Sequence, residues 1–97
     1  MAKYVTLINW TEQGVQAFKD TLDRAEAARS LAERLGGSLT TVYWTVGPYD
    51  IVAIAEFPDD ETATAFALGS SSQGNIRTTT LRAFDAEEMR HIVDRAS

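Results

Sequence analysis

Two runs rich in β-branched, apolar and aromatic residues, Ser38 to Val46 and Tyr49 to Phe57, are separated by Gly47-Pro48 alone. So short a gap implies a tight antiparallel hairpin, the strongest single constraint on what this chain can fold into. Proline is not a usual member of the turns that favour two-residue loops, so a longer loop stays open. The second run begins with Tyr49-Asp50, an aromatic and a carboxylate.

The flanks extend the pattern. Tyr4 to Trp10 reads as a first strand. Thr11 is a plausible helix N-cap, with Glu12 near the positive end of the helix dipole. Val15, Phe18, Leu22, Ala25, Ala28, Ala32 and Leu35 then recur at helical spacing as one apolar stripe. Lys19, Asp23, Arg24, Glu26, Glu33 and Arg34 take the opposite face. Asp20-Thr21 is a second capping signal that allows a short helix, a kink and a longer helix, and Gly36-Gly37 closes the segment.

After the hairpin, Pro58 stops the strand, and Asp59, Asp60 and Glu61 open a short helix with apolar Ala63, Phe66 and Ala67, ending near Gly69. Residues 70–75 form a polar turn, and Ile76 to Phe84 a Thr-rich fourth strand. Asp85 with Glu88 resembles a capping box ahead of a last helix lined by Met89, Ile92, Val93 and Ala96. The order βαββαβ plus a tail helix is the ferredoxin-like pattern: an α+β fold whose four-stranded antiparallel sheet has helices on one face.

With 97 residues, the chain is predicted to be a single domain spanning 1–97. Its formal charge of −5 argues against nucleic acid and anionic membrane as partners. No apolar stretch approaches the ~20 residues of a membrane span. The apolar run before Asn9 and Thr11 is too short for a signal-peptide core. The absence of Cys excludes disulfides, thiolate chemistry and Cys-based metal sites, and together these features suit a cytoplasmic protein.

A two-residue hairpin loop would set Val46 opposite Tyr49, Trp44 opposite Ile51 and Val42 opposite Ala53. That set suits the helix-covered core. The alternate set, Thr41, Tyr43, Thr45, Asp50, Val52, Ile54 and Glu56, takes the uncovered face, joined by Arg77, Thr79 and Leu81 from the fourth strand and by Asn9 from the first. Aromatic and aliphatic walls with a few polar groups are what small-ligand sites look like. Candidate ligand-binding residues are therefore Tyr43, Asp50, Arg77, Thr79 and Asn9 of that face, with Tyr49 beside Asp50.

Several stretches together resemble the GYD domain family of small bacterial and archaeal proteins. They are Gly36-Gly37, Tyr43-Trp44-Thr45-Val46-Gly47, Tyr49-Asp50, Glu56-Phe57-Pro58-Asp59-Asp60 and Gly74 through Phe84. Pro48 separates the Gly from the Tyr-Asp of the motif here. The resemblance implies a subunit of dimeric α/β-barrel type, in which two sheets pair through their open faces, and it brings no established activity with it.

The leading expectation is an oligomeric small-molecule-binding or accessory protein, with another copy of itself as partner and with no metal and no bound cofactor. An alternative is a cofactor-free monooxygenase- or isomerase-like enzyme using Asp50 as general base, with Arg77 or Tyr43 stabilising a developing enolate. A structural assembly module is the third reading. Against a catalytic Asp50 stands the plainer role of a turn carboxylate accepting backbone amides. His91, the only His, reads as a surface residue, and the acids at 59–61 read as helix-start residues.

Overall fold

The computed structural model describes residues 1–97. Strand β1 (Ala2–Trp10) leads into a short helix α1 (Glu12–Gln16), a 3-10 turn (Phe18–Asp20) and helix α2 (Thr21–Arg34). Strands β2 (Ser38–Trp44) and β3 (Ile51–Phe57) follow, then α3 (Asp60–Ser71), β4 (Ile76–Ala83) and α4 (Ala86–Ala96). The sheet is antiparallel with order β2-β3-β1-β4. This is the expected ferredoxin-like α+β arrangement, and no helix is long and apolar enough to cross a membrane.

Capping places the helices where the sequence puts them. The Thr11 hydroxyl accepts from Gly14 N–H, and the Asp59 carboxylate from Thr62 N–H. The bonds from Thr62 hold the Asp59 carboxyl below its ordinary range. The kink expected at Asp20-Thr21 is present as the 3-10 turn, although Asp20 makes no side-chain cap. Because the rod is broken there, the apolar stripe splits: Ala25, Ala28 and Ala32 pack inward, whereas Val15 and Phe18 before the break are exposed, as is Leu22 in the first turn of α2. The third helix runs past Gly69 to Ser71.

The hairpin departs from the two-residue reading. β2 ends at Trp44 and β3 starts at Ile51, so the loop is residues 45–50. Pro48 has no N–H to give a ladder and Gly47 sits at φ +138°. Thr45 instead closes the loop, its N–H donating to Asp50 O and its hydroxyl to Tyr49 O. Val46 therefore does not pair with Tyr49 and is fully exposed. Trp44 opposite Ile51 and Val42 opposite Ala53 are as expected. A bulge between Leu39 and Thr41 shifts the register, bringing Leu39 as well as Val42 to the covered side.

The core lies between that side of the sheet and α2 and α3. Tyr4, Leu39, Ala53, Ala55 and Phe57 from the sheet meet Ala32, Ala63 and Phe66 from the helices. Phe57 is at its centre, with the Phe66 ring 5.1 Å away and the Tyr4 ring 6.0 Å away.

The last helix, α4, is different. None of its residues is buried, and Met89, Ile92 and Val93 are exposed. It is tied to the domain at its first turn, where Asp85 and Glu88 form a complete capping box and Lys3 Nζ lies 3.2 Å from Asp85 and 3.5 Å from Glu88. The Glu88 N–H and the Lys3 ammonium hold the Asp85 carboxyl below its ordinary range, and Asp85 in turn raises the Lys3 pKa. A depressed carboxyl pKa contributes stability that is complete above the unfolded value, ~3.9, and lost as pH falls through the folded one. Acidification below pH ~4 is therefore expected to fray α4, read as lost ellipticity at 222 nm. Asp85→Asn, which caps without titrating, should blunt that loss.

Candidate functional site

On the uncovered face the register places side chains in rows across the sheet. Tyr43, Val52, Leu7 and Thr79 form one row, and Thr41, Ile54, Val5 and Leu81 the next. Lys3 opposite Glu56 closes one end of this apolar centre, and Asn9 opposite Arg77 the other. The sheet thus brings together four of the six candidate ligand-binding residues: Tyr43, Thr79, Asn9 and Arg77. It does so on an open surface.

Tyr49 and Asp50 lie instead in the loop before β3. Asp50 is half-buried and its carboxylate accepts from Trp10 N–H at 2.9 Å, while its own N–H donates to Ile8 O at 2.9 Å. The carboxylate therefore extends the β1–β3 ladder beyond its last regular pair, Ile8 with Ile51. Asp50→Ala, which strands the Trp10 amide, is expected to cost about 1–2 kcal/mol in urea unfolding. Asp50→Asn keeps an acceptor and should cost less than half of that.

The concave spaces lie on the other side of the sheet. A cavity of about 70 Å³ sits between the sheet and helices α2 and α3, walled mainly by apolar side chains such as Ile8, Trp10, Val42 and Ile76. A second space of about 190 Å³ adjoins it, with Arg24, Ala28, Ser70 and Ile76 in the walls of both. The sequence held a signal for them. Ala25, Ala28 and Ala67 on the helices line the first cavity together with Ala53 of the sheet, and small side chains on both layers leave the gap unfilled.

Helical spacing puts Arg24 on the polar face of α2, yet it is half-buried and lines both spaces. Its Nη2 donates to Ala17 O at 2.9 Å and to Gly14 O at 3.4 Å, clamping the break between α1 and α2. Thr6, 6 % exposed, lies in the cavity wall.

A third space, about 390 Å³, opens between α3 and β4. There the Tyr4 hydroxyl donates to Asp60 Oδ1 at 2.6 Å. Burial, reinforced by that bond, pushes the phenol up to about 12, so it remains a neutral donor at neutral pH. The Arg82 guanidinium lies 5.7 Å from the Tyr4 ring centre and 4.5 Å from that of Phe84. His91 is exposed, with Glu87 3.8 Å away.

These features define a small ferredoxin-like α+β module with one bare sheet face and an interior gap on the other. The chain belongs to the GYD domain family, whose sequence profile matches residues 4–93. A relative from Thermus thermophilus, named glutamine synthetase and cystathionine beta-lyase binding protein, is 27% identical over 90 residues, covering 92% of this chain and 95% of the relative. The crystal structure of TTHA0845, also from Thermus thermophilus, superposes with a TM-score of 0.58 at 27% identity, over 89% of this chain and 96% of that one.

Proposed function

We propose that this chain is an accessory binding protein that works as an oligomer, with its open sheet face as the contact between copies. The observation that carries this reading is the composition of that face. Its two central rows hold Val5, Leu7, Val52, Ile54 and Leu81 beside Tyr43, and charged or amide side chains occupy only the ends. Tyr43, Leu81 and Ile54 are 61%, 46% and 37% exposed, so the face is a contiguous apolar patch of the kind that marks association surfaces. Pairing two such faces encloses Tyr43, Thr79, Asn9 and Arg77, turning an open surface into a lined pocket for a small molecule. The Thermus relative, named for the two enzymes it binds, supports a binding role.

Sedimentation velocity on wild type and Val5→Arg tests this. Wild type is expected to run as a dimer or larger at micromolar concentration. The variant, whose charge sits at the centre of the patch, should run as a monomer with an unchanged far-ultraviolet spectrum. A wild type that is monomeric at 100 µM, or a variant that assembles normally, overturns the reading.

A further inference from the structure

We propose that the gap between α2, α3 and the sheet is a binding site for a small monocarboxylate with an apolar body, its carboxylate on Arg24 and its body in the inner cavity. The site lies on the opposite face of the sheet from the association surface, so either reading can fail without the other.

Charge is the first argument. The chain has 14 acidic side chains against 9 basic ones, yet no Asp or Glu lines the inner cavity or the space adjoining it, while Arg24 and Arg34 do. Arg24 is half-buried and forms no ion pair, whereas the other half-buried arginine, Arg29, has Glu26 at 3.8 Å and bonds Leu39 O. A partly desolvated guanidinium calls for a counter-charge. Arg24 spends Nη2 on two backbone carbonyls, and its Nη1 and Nε donors make no hydrogen bond in the chain, leaving them for a single charge-assisted bond to one carboxylate oxygen.

The cavity supplies the second argument. Its walls beyond Arg24 are mostly apolar, with Ile8, Trp10, Ala25, Val42 and Ile76 among them. A bare inorganic anion gains nothing from such walls; an acid with a hydrocarbon body does. Thr6 adds a buried hydroxyl-bearing side chain to the wall of this cavity.

The test is calorimetric titration of the intact protein with acetate, butanoate, hexanoate and octanoate, and with the alcohols of the same lengths. Affinity is expected to rise about fourfold per added methylene until the cavity is full. Each acid should bind at least about tenfold more tightly than its alcohol, the difference a charge-assisted bond makes. Arg24→Met keeps the aliphatic stem and should erase the distinction between acid and alcohol. Should that variant fail to fold, because Arg24 also holds the Gly14 and Ala17 carbonyls, Ala28→Leu narrows the cavity with Arg24 in place and should abolish the dependence on chain length. Amide shifts on octanoate addition should centre on Thr6, Ala28 and Ile76. Equal affinity for acid and alcohol, no dependence on length, no binding at millimolar octanoate, or shifts centred on Leu7 and Val52 of the open face would each overturn the assignment.

Discussion

Phe57→Ala is expected to lower the unfolding free energy by about 3–5 kcal/mol, the upper range for truncating a buried aromatic. Phe57 is 1% exposed, packs on the Tyr4 and Phe66 rings, and borders the interior cavity. Removing the ring joins new empty volume to space that is already unfilled, and the alanines around it have no side chain with which to collapse. Domains of this size hold only about 5–15 kcal/mol in total, so the variant should be partly unfolded at 37 °C. A denaturant titration checks this; a cost under about 1.5 kcal/mol would mean the core is elsewhere.

Gly37→Ala is the second large effect, expected at about 2–3 kcal/mol because the added atom overpacks a rigid contact. A Cβ at Gly37 would lie 2.3 Å from Glu56 O, a backbone atom held in the β2–β3 ladder, and 2.4 Å from the Phe57 ring. Neither can move aside without opening the start of β2. Its neighbour Gly36 is the control. At φ +83° it has nothing within 4 Å, so Gly36→Ala meets only the left-handed backbone penalty of about 1–2 kcal/mol. Parallel denaturant titrations should rank Gly37→Ala as the costlier of the two. The reverse order would show that backbone conformation, and not the approach to β3, fixes this corner.

Those two glycines also show where the sequence was readable. Their pairing announced a helix end, and the caps at Thr11, Asp59 and Asp85 announced helix starts, because both signals are local: a hydroxyl or carboxylate satisfies amides a few residues away. Alternation from Val42 to Trp44 and from Ile51 to Phe57 fixed two faces correctly for the same reason. Non-local facts were hidden. Nothing near Asp50 in the chain says that its carboxylate reaches Trp10, and nothing near Leu39 announces the bulge. The second role of Gly37, clearance for Phe57, needs the folded partner to be seen at all. Helical periodicity places Val15 and Phe18 on the stripe of Ala25 and Ala28, but the 3-10 turn rotates that phase away. Four of the six candidate site residues do share the open face, while the interior gap is not specified by the pattern, because periodicity shows which side chains face inward and not the volume they leave.

The last helix has a thermodynamic consequence. An 11-residue helix of which no residue is buried gains nothing from the domain beyond its first-turn anchors, and isolated helices shorter than ~12–15 residues are marginal in water. In the separated chain α4 should therefore melt as its own unit, ahead of the domain. Helical ellipticity should begin to fall at lower temperature or denaturant than the near-ultraviolet signal of the core aromatics, and α4 amides should exchange with deuterium long before those of β1 and β3. A single midpoint fitted to the helical signal would mix two transitions, and only a probe inside the sheet would report the stability of the fold.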